Sequence, residues 1–356
     1  MIRPTRSRSA SGRSVPARAA RALAWGRRWL RGLVPPLREA PAIIMYHRVA
    51  EAPWDPWGMC VAPRVFRAQI QSLRARGPIM AMDALVDGLL AGNLPPRAMA
   101  LTFDDGYADN ARVAAPILEE LGAPATFFLT TGAIGSGRPF WWDELAQFVL
   151  GGRAAAAVDL RPAGVDLQAS WPGQDGLPAG LRAWRARQGA AGDPRRAAYL
   201  ALWRGLQPLA PSVRESAMAH LRTRLADEEP LARDVLARPM SAAEARAIRS
   251  PLISLAAHGR SHAPLASLPP EDQRHEIEAS RAELAEIAGS PPGGLAYPHG
   301  SHSEHTRAAA AAAGFAWAVT TRPGRIDPQR FRSLELPRIE APARSARALL
   351  RRLRAV

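Results

Sequence analysis

The chain has 356 residues, 47% of them apolar, a length that suits two to three units of about 150 residues or one large α/β domain with an insertion. No run of 18 apolar residues is present, which speaks against a membrane-spanning helix. A lone Cys60 excludes an internal disulfide framework and any multi-cysteine zinc site. All 47 basic residues are Arg, and the formal charge of +15 belongs to the two ends: residues 1–38 hold ten Arg and no acid, residues 341–356 hold five and no acid, and the stretch between is balanced. A body without net charge gives no support to a specific nucleic-acid partner, which calls for a basic stripe.

In chain order, the first 20 residues read as an Arg/Ser/Ala/Pro arm. Residues 21–34 place Ala22, Trp25, Trp29, Leu30 and Leu33 on one helical face and Arg21, Arg27, Arg28 and Arg31 on the other. Such a basic amphipathic helix suits an anionic membrane surface or an apolar patch of its own domain. No continuous apolar stretch follows the arginines, so the segment does not read as a secretory signal peptide. The reading for the chain is cytoplasmic, peripheral at a membrane.

From Pro41 short apolar runs alternate with helical periods. Strands are expected at Ala42–Tyr46, Met99–Phe103, Ala125–Thr130, Leu252–Ala256, a run leading to Tyr297, Phe315–Thr320 and a last run from Leu334 to Ile339. Helices are expected at Pro63–Arg76, Asp109–Leu121, from the capping box at Ser241, at Glu271–Ile287 and at Ser303–Ala313. This alternation argues for a parallel sheet covered by helices, with about seven strands, few enough for a short barrel. Residues 151–238 break the pattern and read as a mostly helical insertion, with helical stretches at Arg195–Leu209 and Val213–Leu225. The expected organisation is a basic arm and helix over 1–38, a barrel over 39–343 that carries the insertion, and a basic helix or tail over 344–356.

Three groups of residues stand just past strand ends, where parallel α/β sheets place their sites. Asp104 and Asp105 follow the second strand, and adjacent carboxylates there point in different directions, so that one can hold a metal while the other handles a proton. His258 and His262 follow the strand Leu252–Ala256; two imidazoles four residues apart with one carboxylate, Asp105, form a set that zinc accepts. The third group is Tyr297-Pro298-His299-Gly300, a turn able to present backbone N–H groups. His299, His302 and His305 read as decoration of that turn and the helix after it rather than as a second metal site. Trp54 and Trp57, in a Pro-rich loop after His47, are candidate substrate-facing aromatics, as are Trp141 and Trp142.

Thr102-Phe103-Asp104-Asp105-Gly106-Tyr107 and His258-to-His262 resemble the first two motifs of the polysaccharide deacetylases, the NodB-like carbohydrate esterases of carbohydrate esterase family 4. Met45-Tyr46-His47-Arg48-Val49, Ala125-Thr126-Phe127-Phe128, Phe140-to-Leu145 and Ala296-to-Gly300 extend the resemblance over residues 41–150 and 238–342. The resemblance implies a distorted (β/α)7 barrel and hydrolytic N-deacetylation of an N-acetylhexosamine in a glycan or lipid-linked sugar. It also implies a divalent metal, zinc first, with cobalt and nickel compatible. Carried over by position, Asp105, His258 and His262 bind the metal and Asp104 is the general base. The backbone N–H of His299 faces the oxyanion. Tyr107, Tyr297, Pro298, Trp142 and Arg338 are the expected substrate contacts.

The sequence departs from the commonest family pattern in three places. Ala296 stands where the third motif has an Arg that orients the base, His299 replaces an aromatic, and a late Leu-x-His motif is absent, with Leu336-Pro337-Arg338-Ile339 near its place. In one branch of the family a histidine near the N-terminal strand is the acid, and His47 fits that branch. Arg338 or Arg48 is then expected to contact Asp104. The alternatives are a catalytically silent carbohydrate-binding barrel and a hydrolase of another non-peptide amide.

Overall fold

The computed structural model describes residues 39–225 and 230–356. The helix read at 21–34, and with it the membrane-surface contact, lies outside the described residues.

Seven short runs of apolar residues become parallel strands buried on both faces, as strands covered by helices must be. They are β1 (Ala42–Tyr46), β2 (Met99–Phe103), β3 (Ala125–Leu129), β6 (Ile253–Ala257), β7 (Gly294–Ala296), β8 (Trp317–Pro323) and β9 (Leu336–Glu340). Each pairs with the next in that order, and β9 returns to β1 through Ile44 opposite Ile339, closing a barrel. Helices α1 (Pro63–Arg74), α2 (Met82–Ala91), α3 (Ala115–Glu120), α7 (Ala242–Ala247), α8 (Pro270–Ala288) and α9 (Glu304–Ala312) lie outside it. The chain is thus the (β/α)7 barrel that the alternating pattern and the resemblance imply.

Local chemistry explains several element ends. At Ser241 the hydroxyl accepts the N–H of Glu244 at 3.1 Å while the Glu244 carboxylate accepts the N–H of Ser241 at 2.9 Å; this capping box starts α7. Helix α2 is absent from the sequence reading, although Met82, Leu85, Val86 and Leu89 form a buried stripe. It ends at Gly92, whose φ of 65° is the left-handed conformation that glycine adopts most easily. The expected helix Asp109–Leu121 begins instead with a π-turn over Asn110–Ala114.

Between β3 and β6 the chain leaves the barrel. After helix α4 (Trp141–Val149) come an antiparallel pair, β4 (Ala156–Asp159) and β5 (Gln168–Trp171), and two helices, α5 (Pro194–Leu206) and α6 (Pro211–Arg224). The strand pair has no counterpart in the sequence reading, because its four-residue strands lie among Ala, Arg and Gly with no clean alternation. This segment buries its own apolar cluster, including Leu145, Val149, Tyr199, Leu202, Met218 and Leu221. Helix α10 (Ala346–Ala355) exposes Arg347, Arg351, Arg352 and Arg354 and packs Leu349 and Leu353 into the barrel's core. Among the described residues no helix is long and apolar enough to cross a membrane.

Candidate active site

The C-terminal ends of the strands open on a cleft of about 640 Å³. Asp104 and Asp105 enter it from the end of β2, His258 and His262 from the loop after β6, His299 from the turn after β7, and His47 from the end of β1. Asp105, His262 and His299 have φ of 72°, 58° and 57°. Non-glycine residues rarely adopt this conformation, and it persists only where the surroundings over-determine it. It turns three side chains inward at one rim.

Asp105 Oδ1 lies 3.4 Å from His258 Nε2 and 3.1 Å from His262 Nε2, with all three residues buried. Their ligand atoms fall within 4.8 Å of one another, close enough for one metal ion to touch all three. The remaining nitrogen of His258 is 2.8 Å from the Ala296 carbonyl oxygen, which fixes the ring with Nε2 inward; such an outer partner is usual for a metal-ligating imidazole. A buried set of two imidazoles and one carboxylate, already converged and with its ring orientation held, fits a divalent cation. Burial pushes the Asp105 carboxyl up, but hydrogen bonds from His258 and His262 outweigh it and hold the group well below the usual range. For His262 burial dominates and lowers the pKa, favouring the neutral ring.

The loop between the two histidines has a brace that sequence reasoning missed. The Glu276 carboxylate on α8 accepts the N–H groups of Arg260 and Ser261 at 2.9 and 2.8 Å. Two orphan donors of a tight turn are satisfied by one side chain from another element, and His262 is held opposite His258. The signal in the sequence was only a Glu on a helix with many acids.

Asp104 faces a different partner. Arg338, from β9, donates from its two terminal nitrogens to the two carboxylate oxygens at 2.6 Å each, a bidentate fork. Its Nε donates to the Thr320 carbonyl at 2.8 Å, and the guanidinium sits over Phe128. Burial pushes Asp104 up, yet the charge of Arg338, with lesser help from His258 and His47, leaves it below the ordinary carboxylate range. Asp104 is therefore kept ionised. Of the two arginines offered for this contact it is Arg338 that makes it; Arg48 bonds Asp109 at 2.8 Å and Asp234 at 2.9 Å behind the site.

Several expected substrate contacts are elsewhere. The hydroxyl of Tyr107 donates to Asp143 at 2.6 Å and accepts from Trp142 Nε1 at 2.7 Å, with the residue fully buried. Tyr297 is also fully buried and donates to the Leu334 carbonyl at 3.0 Å, and Pro298 packs beside Gly259. Arg338 is committed to Asp104. Tyr107, Tyr297 and Pro298 support the cleft from behind, the two tyrosines with their hydroxyls bonded inside, whereas Arg338 lines the cleft. Trp142 does line the cleft, 4.8 Å from the His262 ring. Trp54 is buried in the inserted segment's core, whereas Trp57 lines the cleft. His302 bonds the Gly300 carbonyl and pairs with Glu335, apart from the Asp105 cluster.

Residues 91–157 and 217–318 match the sequence profile of the family described as polysaccharide deacetylase. No curated protein sequence matches the chain. Among solved structures it is similar to the Streptococcus pyogenes deacetylase PplD, solved in complex with acetate, at 18% identity and a TM-score of 0.55 over 88% of this chain and 98% of that one. A polysaccharide deacetylase from Bacillus cereus, BC0361, gives 14% and 0.54 over 88% and 69%. IcaB from Ammonifex degensii gives 17% and 0.51 over 88% and 97%. At these identities the structural likeness speaks for the fold, and the sequence profile matches just under half of the chain.

Proposed function

We propose that the chain is a member of the polysaccharide deacetylase family, hydrolases of non-peptide carbon–nitrogen bonds, and that it removes the acetyl group from an N-acetylhexosamine unit of a glycan with the help of a divalent cation. The observation that carries the reading is the pairing of two differently prepared carboxylates at one rim: Asp105 converges with His258 and His262, and Asp104 lies beside them in the fork of Arg338. Asp105, His258 and His262 would hold the cation, with zinc the first choice and cobalt or nickel compatible. When bound, the cation supplies Lewis acidity, polarising an amide carbonyl and making water more acidic.

The remaining roles belong to the chain's own side chains. Asp104, ionised and held in one orientation by Arg338, accepts the proton of the attacking water. His47, facing the same cleft from β1, gives a proton to the departing amine, which is a poor leaving group when neutralisation fails. His299, with its left-handed backbone at the rim, presents the peptide that faces the oxyanion.

The test is acetate release from N-acetylglucosamine oligomers by the zinc-reconstituted protein beside Asp104→Asn, His258→Ala and His47→Ala. Release by wild type is expected. Asp104→Asn and His47→Ala should each lose roughly 10²- to 10⁴-fold in turnover with metal content unchanged, and His258→Ala should lose the metal as well. Near-normal turnover in His47→Ala would remove the acid role from that residue, and a folded wild type that binds no divalent ion would sink the metal site.

A further inference from the structure

We propose that the segment inserted between β3 and β6 builds a second sugar subsite. In it Trp203, together with Trp57 and Trp141, stacks on the pyranose ring next to the one that is deacetylated. The proposal rests on the deacetylase reading of the cleft and adds a length requirement: the preferred substrate spans at least two rings.

The aromatic rings form a continuous path away from the metal-competent cluster. Trp142 lies 4.8 Å from His262, Trp141 lies 5.7 Å from Trp142, Trp203 lies 6.2 Å from Trp141, and Trp57 lies 4.1 Å from Trp203, centre to centre. All four tryptophans line the cleft. Trp57, Trp141 and Trp203 are only half-buried, although burying the remainder of such a ring would stabilise the fold. Three partly exposed indoles side by side in a cleft are a surface prepared for a flat, weakly polar partner.

Their positions are held by construction. Trp57 Nε1 donates to the Tyr199 hydroxyl of α5 at 2.9 Å, so its polar handle is already satisfied and its ring is fixed. The loop that carries it is tied to the inserted segment twice more, by Ala186 N–H to the Pro56 carbonyl at 2.7 Å and by Arg185 to Asp55 at 3.2 Å. Asp55 in turn accepts the N–H of Met59 at 2.8 Å. Behind Trp141 the buried Arg214 of α6 lies over the ring, 5.3 Å from its centre. Every one of these braces except Asp55's own bond comes from the inserted segment.

A sugar fits this wall better than an acyl chain does. The wall itself is aromatic, offering flat faces to the axial C–H groups of a pyranose, while Thr321, Glu340 and Arg352 on the cleft's other side offer polar partners for its hydroxyls. Trp57 and Trp203 both lie outside the residues that match the family profile. Trp141 lies inside those residues, so the subsite joins one position that the profile covers to two that it does not.

The experiment measures binding and acetate release with one- to five-ring oligomers of N-acetylglucosamine and N-acetylgalactosamine, with binding followed by indole fluorescence and calorimetry. Full-length wild type, Trp203→Ala, Trp203→Phe and Trp57→Ala are compared, each after its melting curve is recorded. Wild type should gain affinity between one ring and two or three. Trp203→Ala and Trp57→Ala should each lose about 3- to 10-fold of that gain, the range of one aromatic contact, with the single ring unaffected and Trp203→Phe close to wild type. An unchanged length dependence in both alanine variants overturns the subsite, as does a loss that falls equally on the single ring, or no binding by any oligomer. Binding of an alkyl glycoside that depends on Trp203 when the oligomers show no length dependence gives the wall to an acyl chain and also overturns it. Length-dependent binding without acetate release keeps the subsite and overturns the deacetylase reading, whereas release without length dependence does the reverse.

Discussion

The barrel rim and the inserted segment meet at one cleft and bring different chemistry to it. The rim supplies charge: Asp104, Asp105, Glu340, Arg338 and four imidazoles, delivered from β1, β2, β6, β7 and β9 or the turns that follow them. The inserted segment supplies Trp203 and the braces that hold Trp57 and Trp141, and its own buried cation, Arg195, is spent on structure. That guanidinium donates to the carbonyls of Val149, Ala154, Pro172 and Arg153 at 2.6 to 3.1 Å. Charge-based catalysis needs atoms fixed by a hydrogen-bonded ladder, which a closed sheet provides on all sides. Apolar contact tolerates a looser frame, so it can be built on a segment with a separate core.

The sharpest way to break this division is at Arg338. Truncation to Ala leaves the Asp104 carboxylate buried without its partner, and a loss of about 3–5 kcal/mol in unfolding free energy is expected. Acetate release should vanish while metal content survives, because Asp104 is not part of the Asp105 cluster. Denaturant titration and metal analysis check both. A variant that kept full activity and changed only its preference for oligomer length would show that the rim and the inserted wall are not separable.

Arg195→Ala probes the other side. Several charge-assisted bonds to buried carbonyls are lost, at an expected cost of roughly 2–3 kcal/mol. Amide exchange should quicken across residues 156–225 while the barrel strands keep their protection. Equal quickening of β2 and β6 would mean that the two cores fold as one unit.

A smaller effect marks the seam between the regions. Asp143 on α4 accepts the Tyr107 hydroxyl, and burial pushes its carboxyl up to about 7. Between pH 4 and that value the native state keeps a proton that the unfolded chain has released. The contribution of this group to stability is therefore greatest in acid and falls as pH rises through the window. Asp143→Asn should flatten that part of the stability profile by about 1–2 kcal/mol, allowing for its partial exposure. An unaltered profile in thermal melts from pH 4 to 8 would assign the slope to other groups.

Much of the site was legible because its chemistry lies in short runs. The sequence places Asp104-Asp105, His258-to-His262 and His299 after apolar runs that become β2, β6 and β7, and parallel strands all deliver their ends to one rim. Arg338 was legible as a candidate but not as a choice over Arg48, since one lies within an apolar run and the other just past one, and only the closure of β9 onto β1 selects between them. Tyr107, Tyr297 and Pro298 stand in the same motifs as the reactive groups, yet they turn away from the cleft. One residue's shift along a strand reverses its face, and spacing within a loop carries no such rule. Glu276 and Trp203 carried no local signal at all.

The sequence by itself determined the alternating elements, the resemblance to deacetylases and the residue types able to hold a cation, since each follows from periodicity or from motifs a few residues long. Only the tertiary structure decided which arginine orients Asp104, that Glu276 fixes the histidine loop, and that Trp203 joins Trp57 across 146 positions of chain. These are contacts between elements far apart in sequence. They exist because barrel closure and the packing of a second core bring the elements together, and no local pattern encodes that meeting.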